Sequence, residues 1–379
     1  MTKYLLGLIS LWLMCSCSDT DPGETPPIDP PTPTPTVTIT KPEFVFGFQG
    51  QSKYSYCPSA LKQADGTVHL YFCGNPENLI MVDNIFHIKI NPDGTQTAAK
   101  SVLQPGVPGS WDDHHTCDPS VIEGNFTWKN TTYKYAMFFL SNMYGVYYNE
   151  IGVAFSNDLD ADSWVKYPQQ IVKKTWSSEG DQEIGGGGKS WGGGQPSVVS
   201  LDGKGKLLLT YTVGDIGGTR IVWTEADFSN MDTYSISTPQ TIVQTGLKAI
   251  DNQSRDYTCN SEFAIDKNAD KIVMIRPIQP MPNDYPNYLN SSLEIDYMNL
   301  SDFTNQRGNW TQIYRITPDD TGYPRNHNAT LLRDNFGHLQ DWEEPEFYFT
   351  VSKAAPDVQP SGSNHAEWTY HIWKSKVVK

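Results

Sequence analysis

The stretch Asp118-Pro-Ser-Val-Ile, followed by a polar turn and the run YKYAMFFLS at 133–141, decides the fold because it recurs along the chain. Four similar stretches begin with Cys57-Pro-Ser-Ala-Leu, Gln195-Pro-Ser-Val-Val, Asn260-Ser-Glu-Phe-Ala and Asn328-Ala-Thr-Leu-Leu, giving intervals of 61, 77, 65 and 68 residues. Each is followed by a turn and a second strand-like run. Self-similarity at a near-constant period indicates a modular architecture.

Each unit continues with a third strand-like run: IFHIKI, NEIGVAFSN, TRIVWTEA, SLEIDYM and WTYHIWKS. Short runs rich in β-branched and aromatic residues, bounded by Gly, Asp and Asn, are typical of strands joined by hairpins. No stretch has sustained 3.6-residue periodicity, so helix should be minor. With a shorter fourth run in most units, five units predict an all-β, five-bladed β-propeller, a single domain over 43–379. Two β-sandwiches would also supply many strands, but they would not repeat one motif five times.

The composition excludes several functions. Of 379 residues, 38% are hydrophobic, 12% aromatic and 19% charged, which is too aromatic for a disordered chain. The net charge of −15, with no basic run to offset it, disfavours nucleic-acid binding. We expect a monomer.

The N-terminal end has the features of an export signal. Residues 1–16 combine Lys3 with an apolar run that is too short to span a bilayer, so they predict a signal peptide. The small residue before Cys17 resembles the bacterial lipobox, which makes Cys17 the predicted lipidation site and Cys15 the weaker choice. The acidic residues that follow resemble the export tag of Bacteroidetes surface lipoproteins. We therefore expect an exported outer-membrane lipoprotein, anchored through its lipid and exposed at the cell surface; the alternative is a plain secreted protein. The Pro/Thr-rich residues of 17–42 should form a stiff tether.

Four cysteines remain in the folded part: Cys57, Cys73, Cys117 and Cys259. An oxidising compartment permits disulfides, but four cysteines allow three pairings, and sequence does not choose among them. We expect at least two to be buried and unpaired. Their spacing fits no zinc site.

The first strand of each propeller blade lines the central channel, so the five residues that open the repeats should converge there. We call them the axial residues: Cys57, Asp118, Gln195, Asn260 and Asn328. A ring of polar side chains favours ligand contact over simple filling of the channel. A functional role is favoured most for Asp118, since a carboxylate in a channel loses hydration unless it is used or paired. Asn260 and Asn328 could equally bond neighbouring blades.

The segments that enter the blades carry aromatic, carboxylate and amide side chains, the combination that a sugar pocket needs. The predicted substrate-binding residues are Tyr56, Trp111, His115, Trp191, Gln195, Arg255, Asn260, His327 and Asn328. The run Glu183-Ile-Gly-Gly-Gly-Gly-Lys189-Ser190 is not a phosphate loop, because Glu183 stands where the first glycine belongs and no βαβ unit surrounds it. We expect it to be a glycine-rich loop over the funnel.

The blade-start motif at Asp118 and the stretch Ile151-Gly-Val-Ala-Phe-Ser-Asn-Asp, with Trp164 and Gln170-Ile-Val after it, resemble family 43 glycoside hydrolases and their relatives over 43–379. The resemblance implies hydrolysis of arabinose- or xylose-containing glycans with inversion. It also implies an Asp base in blade one, an Asp that tunes the acid in blade two and a Glu acid in blade three. A calcium ion beside a blade-five histidine can occupy the channel, although no cofactor is required.

Only Asp118 matches this pattern, in the tuning role. Cys57 stands at the blade-one position and Gln195 at the blade-three position, while His327 is the candidate counterpart of the channel histidine and a candidate metal ligand. A glutamine cannot donate a proton as an acid, and a neutral thiol is a poor base. The family's mechanism therefore does not transfer unchanged.

Inverting hydrolysis needs two carboxyl groups about 6.5–9.5 Å apart, one of them kept protonated by its environment. The candidate catalytic residues are Asp118 with Asp113, Glu183 or Asp256, and Glu262 joins them if the fourth repeat is one or two residues out of register. The favoured function is a surface-anchored glycoside hydrolase acting on plant- or host-type glycans. The alternatives are a carbohydrate-binding propeller without catalysis and a glycan phosphorylase or lyase.

Overall fold

The computed structural model describes residues 37–49, 53–77, 82–145, 148–173, 191–215, 218–253, 258–278, 290–352 and 370–379. These form five antiparallel sheets, one for each repeat, which confirms the predicted five-bladed propeller. Blade one holds β3 (Tyr54–Lys62), β4 (Val68–Asn75), β5 (Asn84–Ile90) and β6 (Lys100–Leu103). Blade two holds β7 (His115–Trp128), β8 (Thr131–Asn142), β9 (Glu150–Ser156) and β10 (Val165–Lys166).

The third and fourth blades follow the same order from the axis outward. Blade three holds β11 (Gly192–Ser200), β12 (Lys206–Asp215), β13 (Gly218–Asp227) and β14 (Ser235–Ile236), with β15 (Gln240–Thr241) also on β13. Blade four holds β16 (Glu262–Asp266), β17 (Lys271–Pro277), β18 (Leu293–Asn299) and β19 (Thr311–Ile316). Two short helices, α1 (Leu300–Thr304) and α2 (Pro318–Thr321), make up the described helix. None of the helices in the described ranges has the length and apolar character needed to cross a bilayer.

Blade five joins the two ends of the domain. Its inner strands are β20 (Arg325–Leu331), β21 (Glu346–Ser352) and β22 (Tyr370–Val378), and its outer edge is formed by β1 (Thr38–Ile39) and β2 (Glu43–Phe46), both paired with β22. Strand β1 lies inside the range 17–42 that the sequence assigned to the tether. Its two residues were overlooked because so short a strand, next to a Pro/Thr-rich segment, has no periodicity of its own.

A hydrophobic layer fills each of the five gaps between neighbouring blades, and the ring is thereby closed. The layer between blades two and three contains Phe138 and Leu209, for example, and the layer between blades five and one contains Phe72 and Ile372. Equivalent layers occupy the other three gaps. Burial of apolar area at about 25 cal/mol per Å² makes these layers the main stabilising contribution.

The serine of the repeated motif links consecutive inner strands. The backbone N–H groups of the next blade donate to Ser59 Oγ, Ser120 Oγ and Ser197 Oγ over 3.4, 3.2 and 3.0 Å. In blade four, Glu262 occupies the serine position, and its Oε2 accepts from Leu331 N at 2.8 Å. The motif recurs because each buried N–H needs an acceptor from the preceding blade.

The end of the channel opposite the axial residues is covered by the hairpin segment 333–337 of blade five, which we call the basal plug. Its carbonyl oxygens accept backbone N–H groups from the first strands of the other four blades. The donors are Lys62, Glu123, Ser200 and Ile265, at 2.7 to 3.2 Å. The fully buried Arg333 adds hydrogen bonds to the carbonyls of Val198 and Phe263 and an ion pair with Glu262 at 2.7 Å. The channel therefore narrows to a plugged base.

Candidate functional site

The five axial residues meet at two adjoining cavities on the propeller axis. Cys57, Asp118 and Gln195 line both cavities, Asn328 lines the wider one and Asn260 the narrower one. Each has a left-handed backbone conformation with φ between 44° and 54°, which is uncommon for residues other than glycine. In four blades the residue sits at a register shift between the first and second strands. Such bulges redirect a side chain, and strained backbone of this kind clusters at functional sites.

The wider cavity, here called the funnel, has a volume of about 310 Å³. Its polar and aromatic lining is the type of surface that a sugar pocket uses. The described residues that line it are Tyr56, Cys57, His114, His115, Cys117, Asp118, Leu140, Asn142, Asn149, Trp191, Gln195 and Asn328. Asn260 lies deeper, beside Glu262 in a narrow cavity of about 30 Å³ that continues along the axis.

Asp118 is the one carboxylate among the described residues that line the funnel. Burial raises its pKa to about 6 from the usual 3.8, and the hydrogen bond from the Cys57 thiol only partly opposes this effect. Its backbone N–H donates to Cys73 Sγ at 2.9 Å. An acid with this pKa exists in both protonation states near neutral pH, which suits proton transfer or pKa tuning.

A chain of polar contacts leads from His327 to Asp118. His327 Nδ1 contacts Asn328 Oδ1, Asn328 Nδ2 donates to Cys57 Sγ at 2.7 Å, and Cys57 hydrogen-bonds Asp118. Burial lowers the pKa of His327 to about 4, so the imidazole is neutral. Burial and Asp118 together raise the pKa of the Cys57 thiol, so Cys57 remains protonated and is a poor base.

A disulfide joins Cys73 of blade one to Cys117 of blade two, directly beneath Asp118. Cys57 and Cys259 are buried and take no part in a disulfide, as predicted for at least two of the four cysteines. The pairing was open in the sequence because Cys73 and Cys117 lie 44 residues apart and meet only where two blades meet.

Sequence analysis missed Asp83, a buried carboxylate behind the funnel wall. It accepts hydrogen bonds from Tyr54 OH at 2.5 Å and Tyr56 OH at 2.6 Å, and it lies 3.6 Å from His115 Nδ1. Burial raises the pKa of Asp83 and lowers that of His115. Asp83 thereby fixes two side chains of the funnel, Tyr56 and His115. It precedes a third strand rather than a repeated motif, so no sequence signal pointed to it.

Asp113 and Trp111, two predicted site residues in the segment before blade two, are not part of the described funnel lining. The carboxylate of Asp113 accepts the backbone N–H groups of Gly109 at 2.6 Å and Tyr144 at 2.8 Å, and these bonds lower its pKa. Asp113 therefore holds two loops together and is not a protonated acid. Trp111 stacks on Phe139 and packs against the blade-one and blade-two layer, so its ring is not part of the funnel lining. His114, which was not predicted, lines the funnel instead.

Some of the other predicted site residues lie in the described part of the chain, and the rest lie outside it. Tyr56, His115, Trp191, Gln195 and Asn328 line the funnel, and Gln195 Oε1 is buried without a hydrogen-bond partner in the described structure. Glu262 faces the narrow cavity, but it is engaged by Arg333 and by Leu331 N. Cys17, Glu183, Arg255 and Asp256 lie outside the described residues.

The described side chains around the axis offer few charged oxygen ligands for calcium. Calcium takes six to eight oxygens, whereas this region offers one lining carboxylate that is not paired with an arginine, Asp118, and neutral amide oxygens such as that of Gln195, beside the sulfur of Cys57 and the buried Nε2 of His327. The Oδ1 of Asn328 is already engaged by His327. No step of the chemistry below uses a calcium ion.

Comparison with solved structures supports the architecture. The chain is similar to Zg3597, a family 117 glycoside hydrolase of the marine bacterium Zobellia galactanivorans (TM-score 0.55, 10% identity, 90% of each chain covered). It is also similar to the α-L-arabinofuranosidase PaAbf62A from Podospora anserina in complex with cellotriose (0.52, 11%, 89% of this chain and 95% of that one). A third similar structure is a GH62 hydrolase in complex with xylotriose (0.53, 10%, 90% and 96%).

No protein-family model matches the sequence, and no curated protein does either. At such low identity these likenesses establish the fold alone. The chain is thus a five-bladed β-propeller that structurally matches glycoside hydrolases of families 117 and 62.

Proposed function

We propose that the protein is a carbohydrate-active lipoprotein of the outer membrane, and that its funnel hydrolyses a glycosidic bond. The observation that carries the proposal is the half-buried Asp118, with a pKa of about 6, at the meeting point of the axial residues. The aromatic and amide groups around it suit a sugar ring. The similar structures in complex with cellotriose and xylotriose are consistent with a glycan ligand, and arabinose- or xylose-containing glycans are favoured.

In this proposal Asp118 either donates a proton at the scissile bond or tunes the pKa of another acid there. Its raised pKa keeps a large fraction protonated below about pH 6, as a general acid requires. If Asp118 only tunes another acid, its ionised form is needed and activity falls as the pH drops through about 6. The partner carboxylate is Glu183 or Asp256, and an inverting reaction requires it about 6.5–9.5 Å from the first carboxyl group.

A specific observation favours the second candidate function, carbohydrate binding without catalysis. The blade-one and blade-three positions that carry carboxylates in the family resembled here hold Cys57 and Gln195, and both line the funnel. The thiol stays protonated and the amide does not titrate, so neither supplies an acid or base. A propeller that kept its pocket and lost its catalytic pair would have this composition.

The experiment measures sugar release and binding with the same panel of arabinan, arabinoxylan and xylan oligosaccharides. Hydrolysis predicts turnover by the wild type and its loss in D118N and in either E183Q or D256N, with binding retained. The control D302N removes a partly exposed carboxylate that is paired with Arg307 and should change neither sugar release nor binding. Binding without sugar release by the wild type would establish the second function, whereas neither binding nor release would reject both.

The anchor is tested separately by lipid labelling in a bacterial host. Incorporation of labelled fatty acid that is lost in C17A and kept in C15A supports lipidation of Cys17. Labelling that C17A leaves unchanged overturns that assignment.

A further inference from the structure

Two imidazoles and a carboxylate meet at the junction of blades one and two, outside the funnel lining. His69 on β4 and His87 on β5 place Nδ1 and Nε2 3.0 Å apart. Asp160, in the loop between β9 and β10, places Oδ1 4.0 Å from His69 Nδ1. All three atoms lie within 4.8 Å of one another.

From this geometry we propose that His69, His87 and Asp160 bind a zinc ion. Zinc–nitrogen and zinc–oxygen bonds of about 2.0–2.2 Å in a tetrahedron separate ligand atoms by roughly 3.3–3.5 Å. The observed separations of 3.0 and 4.0 Å lie on either side of that value, so shifts of less than about 1 Å complete the site. Imidazole and carboxylate together suit zinc, whereas calcium and magnesium prefer all-oxygen sites.

Neighbouring residues hold the carboxylate of Asp160 in position. Lys89 Nζ holds Asp160 Oδ2 at 3.0 Å, which leaves Oδ1, the other oxygen, toward the imidazoles. Tyr71 OH donates to Leu159 O at 2.7 Å and fixes the loop just before Asp160. Lys100 binds the Asp160 backbone carbonyl and the Asp162 carboxylate. Outer hydrogen bonds of this kind orient metal ligands.

The exposure of the three side chains and the nature of their ligand atoms also fit a bound ion. His87 is 1% exposed and the His69 side chain 9%, while 40% of the Asp160 side chain is exposed, so an ion can enter from the carboxylate side. Histidine binds metal through a ring nitrogen, and the two ring nitrogens that face each other here are 3.0 Å apart. Three protein ligands leave the fourth zinc position to water.

Bound zinc would join blade one to blade two through ligands from both. Since binding to the folded state alone stabilises it, the melting temperature should rise with zinc concentration.

The test adds zinc, and separately cobalt as a coloured probe, to the purified chain with its disulfide intact. The expected results are one zinc per chain, a higher melting temperature, and a cobalt spectrum without thiolate charge-transfer bands. H87Q and D160N should each weaken zinc binding about tenfold or more, taking the effect of second-sphere changes as a lower bound. Because H87Q alters a buried site, D160N, at a partly exposed position, serves as the variant expected to fold normally.

The matched control is H338Q. His338 Nδ1 lies 3.4 Å from Asp334 Oδ2, which makes it a histidine–carboxylate pair outside the proposed site, and zinc binding should be unchanged in this variant. Zinc uptake that survives both H87Q and D160N, thiolate bands with cobalt, or no uptake by the wild type would each overturn the proposal. None of these readouts depends on glycan activity.

Discussion

Replacing Asp118 by asparagine should stabilise the protein at neutral pH, although the residue is central to the proposed site. Burial raises the pKa of Asp118 to about 6, whereas an unfolded aspartate titrates near 3.9. Between these values the folded protein binds more protons than the unfolded chain does. Its stability therefore falls as the pH rises from about 4 to about 6, and the loss is complete above that window.

The magnitude follows from the shift. A difference of about two pKa units, at 1.36 kcal/mol each, makes the ionised Asp118 unfavourable by about 3 kcal/mol above pH 7. Asparagine has nearly the same shape and an oxygen that accepts the Cys57 hydrogen bond, but it carries no charge. D118N should therefore exceed the wild type in free energy of unfolding by up to about 3 kcal/mol at about pH 8, and match it near pH 4.

Urea unfolding at about pH 4, 6 and 8 measures this difference, with linear extrapolation to water. D302N is the control of opposite sign, because hydrogen bonds from Asn299 and Arg307 lower the pKa of Asp302. That group contributes stability above its unfolded pKa and loses it as the pH falls, so D302N should not stabilise at any pH. A D118N difference that stays constant between pH 4 and pH 8 would refute the reasoning.

Two further predictions concern stability. R333M should cost about 3–5 kcal/mol in urea unfolding because it leaves Glu262 buried and charged, and adding E262Q should recover part of the loss; a single variant as stable as the wild type would contradict this. C73S, which opens the Cys73–Cys117 loop, should cost about 4 kcal/mol from chain entropy, while C259S, at a cysteine outside the disulfide, should cost far less. Equal losses in the two cysteine variants would show that the disulfide contributes little.

The sequence was sufficient for the ring because each blade repeats the same local requirement. In three blades an inner-strand serine accepts an N–H from the next blade, and in blade four Glu262 does so. A polar residue stands two positions before each of these, so the pattern is visible without coordinates. Features that recur in several blades could be predicted from the sequence, whereas features that occur only once could not. Asp83 acts through Tyr54 and Tyr56, contacts that no spacing indicates.

Asp113 and Trp111 lie outside the described funnel lining for one reason. Both residues lie close in sequence to Asp118, but proximity along a loop does not determine the direction of a side chain. Asp113 turns to the amides of Gly109 and Tyr144, and Trp111 turns to Phe139, because a loop must satisfy its own backbone and cover apolar surface. The left-handed backbone of the axial residues also could not be predicted from the sequence, because three of them precede proline and none is glycine.

The basal plug constrains how this molecule can diverge. The first strands of four blades each donate a hydrogen bond to a particular carbonyl of 333–337, so adding or deleting one residue there would move the acceptors away from their donors. Insertions are therefore tolerated on the opposite face, among the connections that surround the funnel. New ligand preferences can arise there while the base keeps a fixed length.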